Sequence, residues 1–135
     1  MKKRIVFVLA LTLILVLTAC SGNVAQVKRT VGESAHYSAR EIGAAMDVVE
    51  SHFRRHFDGC TLLELAYDEA VSDKASGEWA EQYGAKEAIV LTSSFHVDAS
   101  GGNGSLNPNY TYNRWQWVLT RSGIGGWKLQ TWGYG

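Results

Sequence analysis

"SAREIGAAMDVVESHFRRHFDG", residues 38–59, decides the architecture of this chain. Ser38 is followed three residues later by Glu41, the capping-box arrangement in which hydroxyl and carboxylate each satisfy a backbone N–H at a helix start. Ile42, Met46, Val49, Phe53 and Phe57 then recur at helical spacing and form one apolar stripe. Asp58-Gly59 ends the run, with glycine free to take the left-handed cap. The spacing predicts an amphipathic helix of about twenty residues with one buried face. His52 and His56 stand four residues apart, close enough on a helix to share a metal. Helical geometry puts His56 at the edge of the stripe and His52 on its flank. No third ligand is near in sequence, so the pair reads as a solvated shoulder and no metal is expected.

Strands follow the helix. "TLLELAY" (61–67) alternates, with Leu63, Leu65 and Tyr67 expected inward and Leu62, Glu64 and Ala66 on the other side. In 68–87, Trp79 and Tyr83 suggest a short helix ended by Gly84. "EAIVLTSSFHVDA" (87–99) is a long strand: Ile89, Leu91, Phe95 and Val97 share one face, interrupted only by Ser93, and Thr92, Ser94, His96 and Asp98 share the other. "SGGNGSLNPN" (100–109) is a flexible loop. Asp98, Ser100 and Asn103 invite a calcium reading, but counted from Asp98 the sixth position is Asn103 where the calcium-binding loop needs glycine. Asn103-Gly104-Ser105 and Asn109-Tyr110-Thr111 match the N-glycosylation pattern and read as polar turns. Two last strands, "YTYNRWQWVLTR" (110–121) and "WKLQTWGY" (127–134), are joined by "SGIGG" as a hairpin.

The N-terminus sets the address. Lys2, Lys3 and Arg4 precede an uncharged run from Ile5 to Leu17, which reads as a signal peptide over 1–19. At thirteen residues that run is short of the roughly 20 a spanning helix needs. Leu17-Thr18-Ala19-Cys20 resembles the lipobox of bacterial lipoproteins. That resemblance implies that Cys20 carries a diacylglyceryl group and becomes the N-terminus, with further acyl chains such as palmitate completing the anchor. Several chains hold a protein on a bilayer where one would not. Cys60 is then left without an intramolecular partner and is expected as a buried thiol. "SGNVAQVKRTVGESAHY" (21–37) is polar and without period, so 20–37 is expected to be the lipidated cysteine and a flexible tether spanning roughly 20–25 Å.

One domain is expected over 38–135, of α+β class: a long N-terminal amphipathic helix packed on a curved antiparallel sheet of about four strands. Element order and the aromatic hairpin "NRWQWVLTR" and "GGWKLQTWGY" resemble small bacterial lipoproteins whose folded part is similar to the nuclear transport factor 2-like, or cystatin-like, superfamily. The resemblance implies a cystatin-like roll. That superfamily hosts isomerases, dehydratases, protease inhibitors and binding or oligomerisation domains, and fold alone does not choose among them.

A cone-cavity enzyme needs a carboxylate base and a proton donor pointing inward, where burial tunes their pKa values. The parities above point no Asp, Glu or His inward. Tyr67 with Asp68 and His96 with Asp98 are the remaining candidates. A cystatin-like inhibitor would carry Q-x-V-x-G in a hairpin; Gln116-Trp117-Val118-Leu119-Thr120 fails at the glycine and lies within a strand. The reading is therefore a non-catalytic domain that binds a small ligand or an envelope protein, held by lipid on Cys20 at the extracytoplasmic side of a bacterial membrane, with no cofactor. The alternatives are a small isomerase- or dehydratase-type enzyme or an inhibitor. Tyr110, Tyr112, Trp132 and Tyr134 are expected to form an exposed aromatic binding surface on the sheet face away from the core. Without Lys2, Lys3 and Arg4, ten basic residues face thirteen acidic ones, and no basic face suggests nucleic acid.

Overall fold

The computed structural model describes residues 21–123 and 125–134, so the signal peptide and Cys20 lie outside the described residues. In chain order the elements are β1 (Lys28–Val31), α1 (Ala39–His56), β2 (Cys60–Tyr67), α2 (Glu69–Gln82), β3 (Glu87–Val97), β4 (Tyr110–Arg121) and β5 (Lys128–Tyr134). The strands form one sheet in the order β1-β2-β3-β4-β5; β1 and β2 run parallel and every other pair is antiparallel.

Helix α1 starts where its sequence says. The Ser38 hydroxyl accepts the Glu41 N–H and the Glu41 carboxylate accepts the Ser38 N–H, both at 3.1 Å. Ile42, Ala45, Met46, Val49 and Phe53 are its buried face. They pack on Leu62, Leu65, Ile89, Leu91, Phe95, Val97, Trp117 and Leu119 of the sheet, which form the main core. The opposite sheet face is covered in part by α2. Asp68 caps that helix by accepting the N–H groups of Ala70 and Val71, and buried Ser72 accepts the Val90 N–H at 3.1 Å, beyond the end of the β2–β3 pairing.

The architecture departs from the expected one. In place of a long N-terminal helix on an antiparallel sheet of about four strands, the cystatin-like roll, there is a mixed five-stranded sheet with two helices. The cause lies in residues expected as a tether. Lys28–Val31 pairs in parallel with β2, from Lys28 beside Glu64 to Val31 beside Tyr67, which makes α1 the crossover between two parallel strands. All four residues of β1 are exposed, so no alternation of apolar side chains announces it. Backbone pairing holds it instead, together with Arg29, whose guanidinium reaches Asp47 (2.6 Å) and Glu50 (2.5 Å) on α1. Further upstream, Gly22 donates its N–H to the Arg54 carbonyl and Asn23 to the Cys60 carbonyl, each at 2.9 Å.

Three bulges reset strand parity. Leu62 faces Phe95 while Glu64 already faces Ser94, leaving Leu63 unpaired. Phe95 faces Tyr112 and Ser93 faces Trp115, so Asn113 and Arg114 together oppose Ser94. Val118 faces Thr131 and Leu119 faces Leu129, so Gln130 is the extra residue of β5. An inserted residue sends every side chain beyond it to the other face. Leu62 is therefore buried where Leu63 was expected, and Leu63 is exposed.

Candidate functional site

Two surfaces carry chemistry. The first is a cleft of about 780 Å³ on the sheet face that α2 leaves partly open. Its floor follows from register: Thr30 pairs with Ala66, Ala66 with Thr92 and Thr92 with Gln116, so one row of small or polar side chains crosses four strands. Small Ala66 among hydroxyls and an amide leaves the hollow. Glu64 and Ser94 form the adjacent row, with Arg114 of the β4 bulge beside them. Arg114 holds φ at +60°, a left-handed conformation that non-glycine residues avoid and that costs roughly 1–2 kcal/mol.

The cleft is acidic. Glu33, Glu64, Asp68 and Glu69 line it, with Arg114 as the only cation among its lining residues. Asp68 is committed to the cap of α2. Glu69 accepts the Ser34 hydroxyl, the Ala35 N–H at 3.1 Å and the Tyr67 hydroxyl at 3.2 Å. Led by the Ser34 hydroxyl and then the backbone donor at Ala35, these bonds hold its carboxyl down to about 2. Burial, the larger cause, and the nearby Glu69 push the Tyr67 hydroxyl up. Glu64 accepts a long bond from Thr30 at 3.4 Å.

The second surface is aromatic, and it is not where the sequence put it. The β4 bulge carries Tyr112 into the core, where it is 7% exposed, stacks on Phe95 at 5.1 Å and accepts the Asn107 N–H at its hydroxyl. The β5 bulge places Trp132 opposite Trp117 and Tyr134 opposite Trp115, on the side of α1 and not away from it. Trp132, Tyr134 and Tyr110 are 43%, 60% and 46% exposed. They do come together, as the rim of an aromatic cluster around the last turn of α1. Tyr134 lies 5.5 Å from both Tyr112 and Trp115, Tyr110 lies 4.9 Å from Tyr112, and Trp132 lies 4.4 Å from the ring of His52.

His52 is half-buried and His56 exposed, the reverse of the order expected from the helical wheel, because Trp132 folds back over His52. Their rings are 4.5 Å apart. Nε2 of His52 is buried without a hydrogen-bond partner among the described residues, and burial, followed by His56 and Arg55, pulls its pKa down. Among the described residues no group of three or more His, Cys, Asp or Glu converges on a metal position.

The remaining sequence candidates are dispersed. Tyr67 and Asp68 both line the cleft, but they are engaged with Glu69 and with the α2 backbone. Nδ1 of His96 lies 2.8 Å from the Thr111 hydroxyl, while Asp98 takes the Ser100 N–H at 2.8 Å and the Ser100 hydroxyl. Asn103 donates its amide N–H to Asp58 at 3.1 Å. Gln116 lies in the cleft floor and Trp117 beside it in the core. Cys60 is a buried free thiol, pushed up to about 11 by burial first and then by Asp98 and Asp58.

Sequence reasoning missed the cleft. Its signal is the polar face of β3, Thr92 and Ser94, which reads as a plain outer face because the sequence marks neither β1 nor the bulge at Arg114. Compared with known proteins, the chain matches no family model, and no curated protein or solved structure is significantly similar to it.

Proposed function

We propose that this protein is a lipid-anchored extracytoplasmic binding domain, held on a bacterial membrane through Cys20, that takes a small polar molecule bearing a cationic amine into the cleft. The observation that carries the reading is the cleft itself: a hollow floored by the Thr30 and Thr92 hydroxyls and the Gln116 amide around small Ala66, walled by four acids against one base. Neutral donors and acceptors fix the orientation of a polar ligand, and an unbalanced acidic wall favours a cation. The Leu17-Thr18-Ala19-Cys20 motif supports the anchor.

The Glu69 and Tyr67 pair is not poised for proton transfer. Proton transfer at neutral pH calls for groups tuned toward pH 7. Of the lining residues, Glu69 is moved down to about 2 and Tyr67 is moved up, both away from that range.

The test is titration of the full chain with 1,4-diaminobutane and lysine against glutamate and acetate, read by NMR shifts of Thr92, Ser94 and Gln116. The amines should shift these signals and the anions should not. Glu64→Gln with Glu33→Gln should weaken the amine response roughly tenfold, the scale of a lost charged hydrogen bond. Equal response to anions, or no shift with any probe, defeats the reading.

A further inference from the structure

Arg114 sits strained and exposed at the cleft. At φ +60° it occupies a position that a bulge with a left-handed residue ordinarily gives to glycine. It enters no ion pair among the described residues. Strain of this kind clusters at ligand clamps and active sites. The bulge also fixes what the guanidinium stands beside. Asn113 and Arg114 together oppose Ser94, and Ser94 pairs with Glu64, so Arg114 and Glu64 flank one serine. Two strand spacings put their backbones about 10 Å apart, within the combined reach of the two side chains. All three residues line the cleft, yet guanidinium and carboxylate do not pair with each other. The gap between them has a cation on one side, an anion on the other and a hydroxyl in the middle.

A second acid is left over. Asp68 is held by the α2 cap and Glu69 by Ser34, Ala35 and Tyr67, whereas Glu33 enters no ion pair among the described residues and Glu64 has only its long bond from Thr30. Glu33 follows Val31, which pairs with Tyr67, so it lies beyond the end of β1 opposite to Lys28 and Glu64. Lys28 is beside Glu64 in register but is neither paired with it nor part of the cleft lining. The cleft therefore offers a ligand two carboxylates, set apart along β1, and one guanidinium. Two amines and one carboxylate complement them.

We infer that the ligand of the cleft is a basic α-amino acid: Arg114 takes its carboxylate, Glu64 its α-ammonium across Ser94, and Glu33 the amine at the end of its side chain. A guanidinium meets a carboxylate with two parallel N–H···O bonds, which fixes the head group in one orientation. The four-carbon stem of lysine then carries the second charge along the floor toward Glu33. This rests on the amine-binding reading of the cleft, and its test separates the two.

The full chain is titrated with lysine, lysinamide and Nα-acetyl-lysine, read by the NMR shifts of Ser94 and Gln116. Lysinamide keeps both amines and lacks the carboxylate; Nα-acetyl-lysine keeps the carboxylate and lacks the α-ammonium. Each should bind roughly tenfold more weakly than lysine, the scale of one lost charged hydrogen bond. Arg114→Gly, which suits the left-handed backbone, should bring lysine down to the level of lysinamide and leave lysinamide no weaker. Lysinamide equal to lysine in wild type, or an equal loss of both in Arg114→Gly, overturns the amino-acid assignment and leaves amine binding standing. Nα-acetyl-lysine equal to lysine overturns it as well, in favour of a peptide ending in lysine. No shift with lysine, lysinamide or 1,4-diaminobutane defeats both readings.

Discussion

Trp117 donates its indole N–H to the Ser93 hydroxyl at 2.8 Å, in the centre of the core, and that hydroxyl reaches on to the Trp115 carbonyl at 3.4 Å. The one polar interruption on the inner face of β3 is thus the acceptor that lets a tryptophan be wholly buried. A buried donor left unmatched costs about 1–3 kcal/mol. Ser93→Ala should lose that much in urea denaturation and Trp117→Ala about 3–5 kcal/mol. Trp132→Ala, at the rim, should lose about 1 kcal/mol or less. A neutral Ser93→Ala would mean that the Trp117 donor finds another partner.

Gly22→Ala should destabilise the domain by about 1–3 kcal/mol, because a Cβ there meets backbone that cannot swing aside. Gly126→Ala, whose Cβ would meet nothing within 4 Å, should stay within about 0.5 kcal/mol. Thermal melts of both decide the matter: equal melting points show that residue 22 is not packed against α1.

Acid should loosen the contact between the segment before α1 and the start of α2. The Glu69 carboxyl is held at about 2 in the folded protein, against an ordinary value of 4.5. A depressed carboxyl contributes stability that is fully present above its unfolded pKa and is lost as pH falls through the folded one. The loss therefore runs from about pH 4.5 down to about pH 2. Glu69→Gln should flatten the stability curve across that window and leave its shape above pH 6 unchanged; a variant whose acid limb matches wild type refutes the assignment.

Arg114→Gly removes a side chain from a left-handed backbone position. Stability should hold or rise by about 1 kcal/mol, the strain relieved less the entropy that glycine adds to the unfolded chain. The same change removes the one cation among the cleft-lining residues, so 1,4-diaminobutane binding should tighten while the fold is unharmed. Weaker 1,4-diaminobutane binding by a stable Arg114→Gly protein would show that the guanidinium itself is a contact of the diamine.

Much of the core was legible from local signals. Ser38 and Glu41 announce α1, its apolar stripe names the residues that bury, and the Ile89, Leu91, Phe95 and Val97 parity is the one observed. What local signals did not carry are features set by the partner strand. The β4 bulge has arginine at its left-handed position, not glycine, so no residue type marks it, and Tyr112 crosses to the core unannounced. The β5 bulge at Gln130 does the same for Trp132. Strand β1 has no buried side chain to betray it; its reasons for being a strand are the open edge of β2 and two carboxylates on α1. The cleft depends on both kinds of feature.

Among the described residues the sheet ends in two strands with an open edge, and each is a poor template for another chain. On one side the edge is only four residues long and begins Lys28-Arg29, so an approaching strand meets charge before it can make a ladder. On the other, the extra residue at Gln130 breaks the spacing of donors and acceptors midway along the strand. Copies brought side by side therefore lack a straight rail along which their sheets would join.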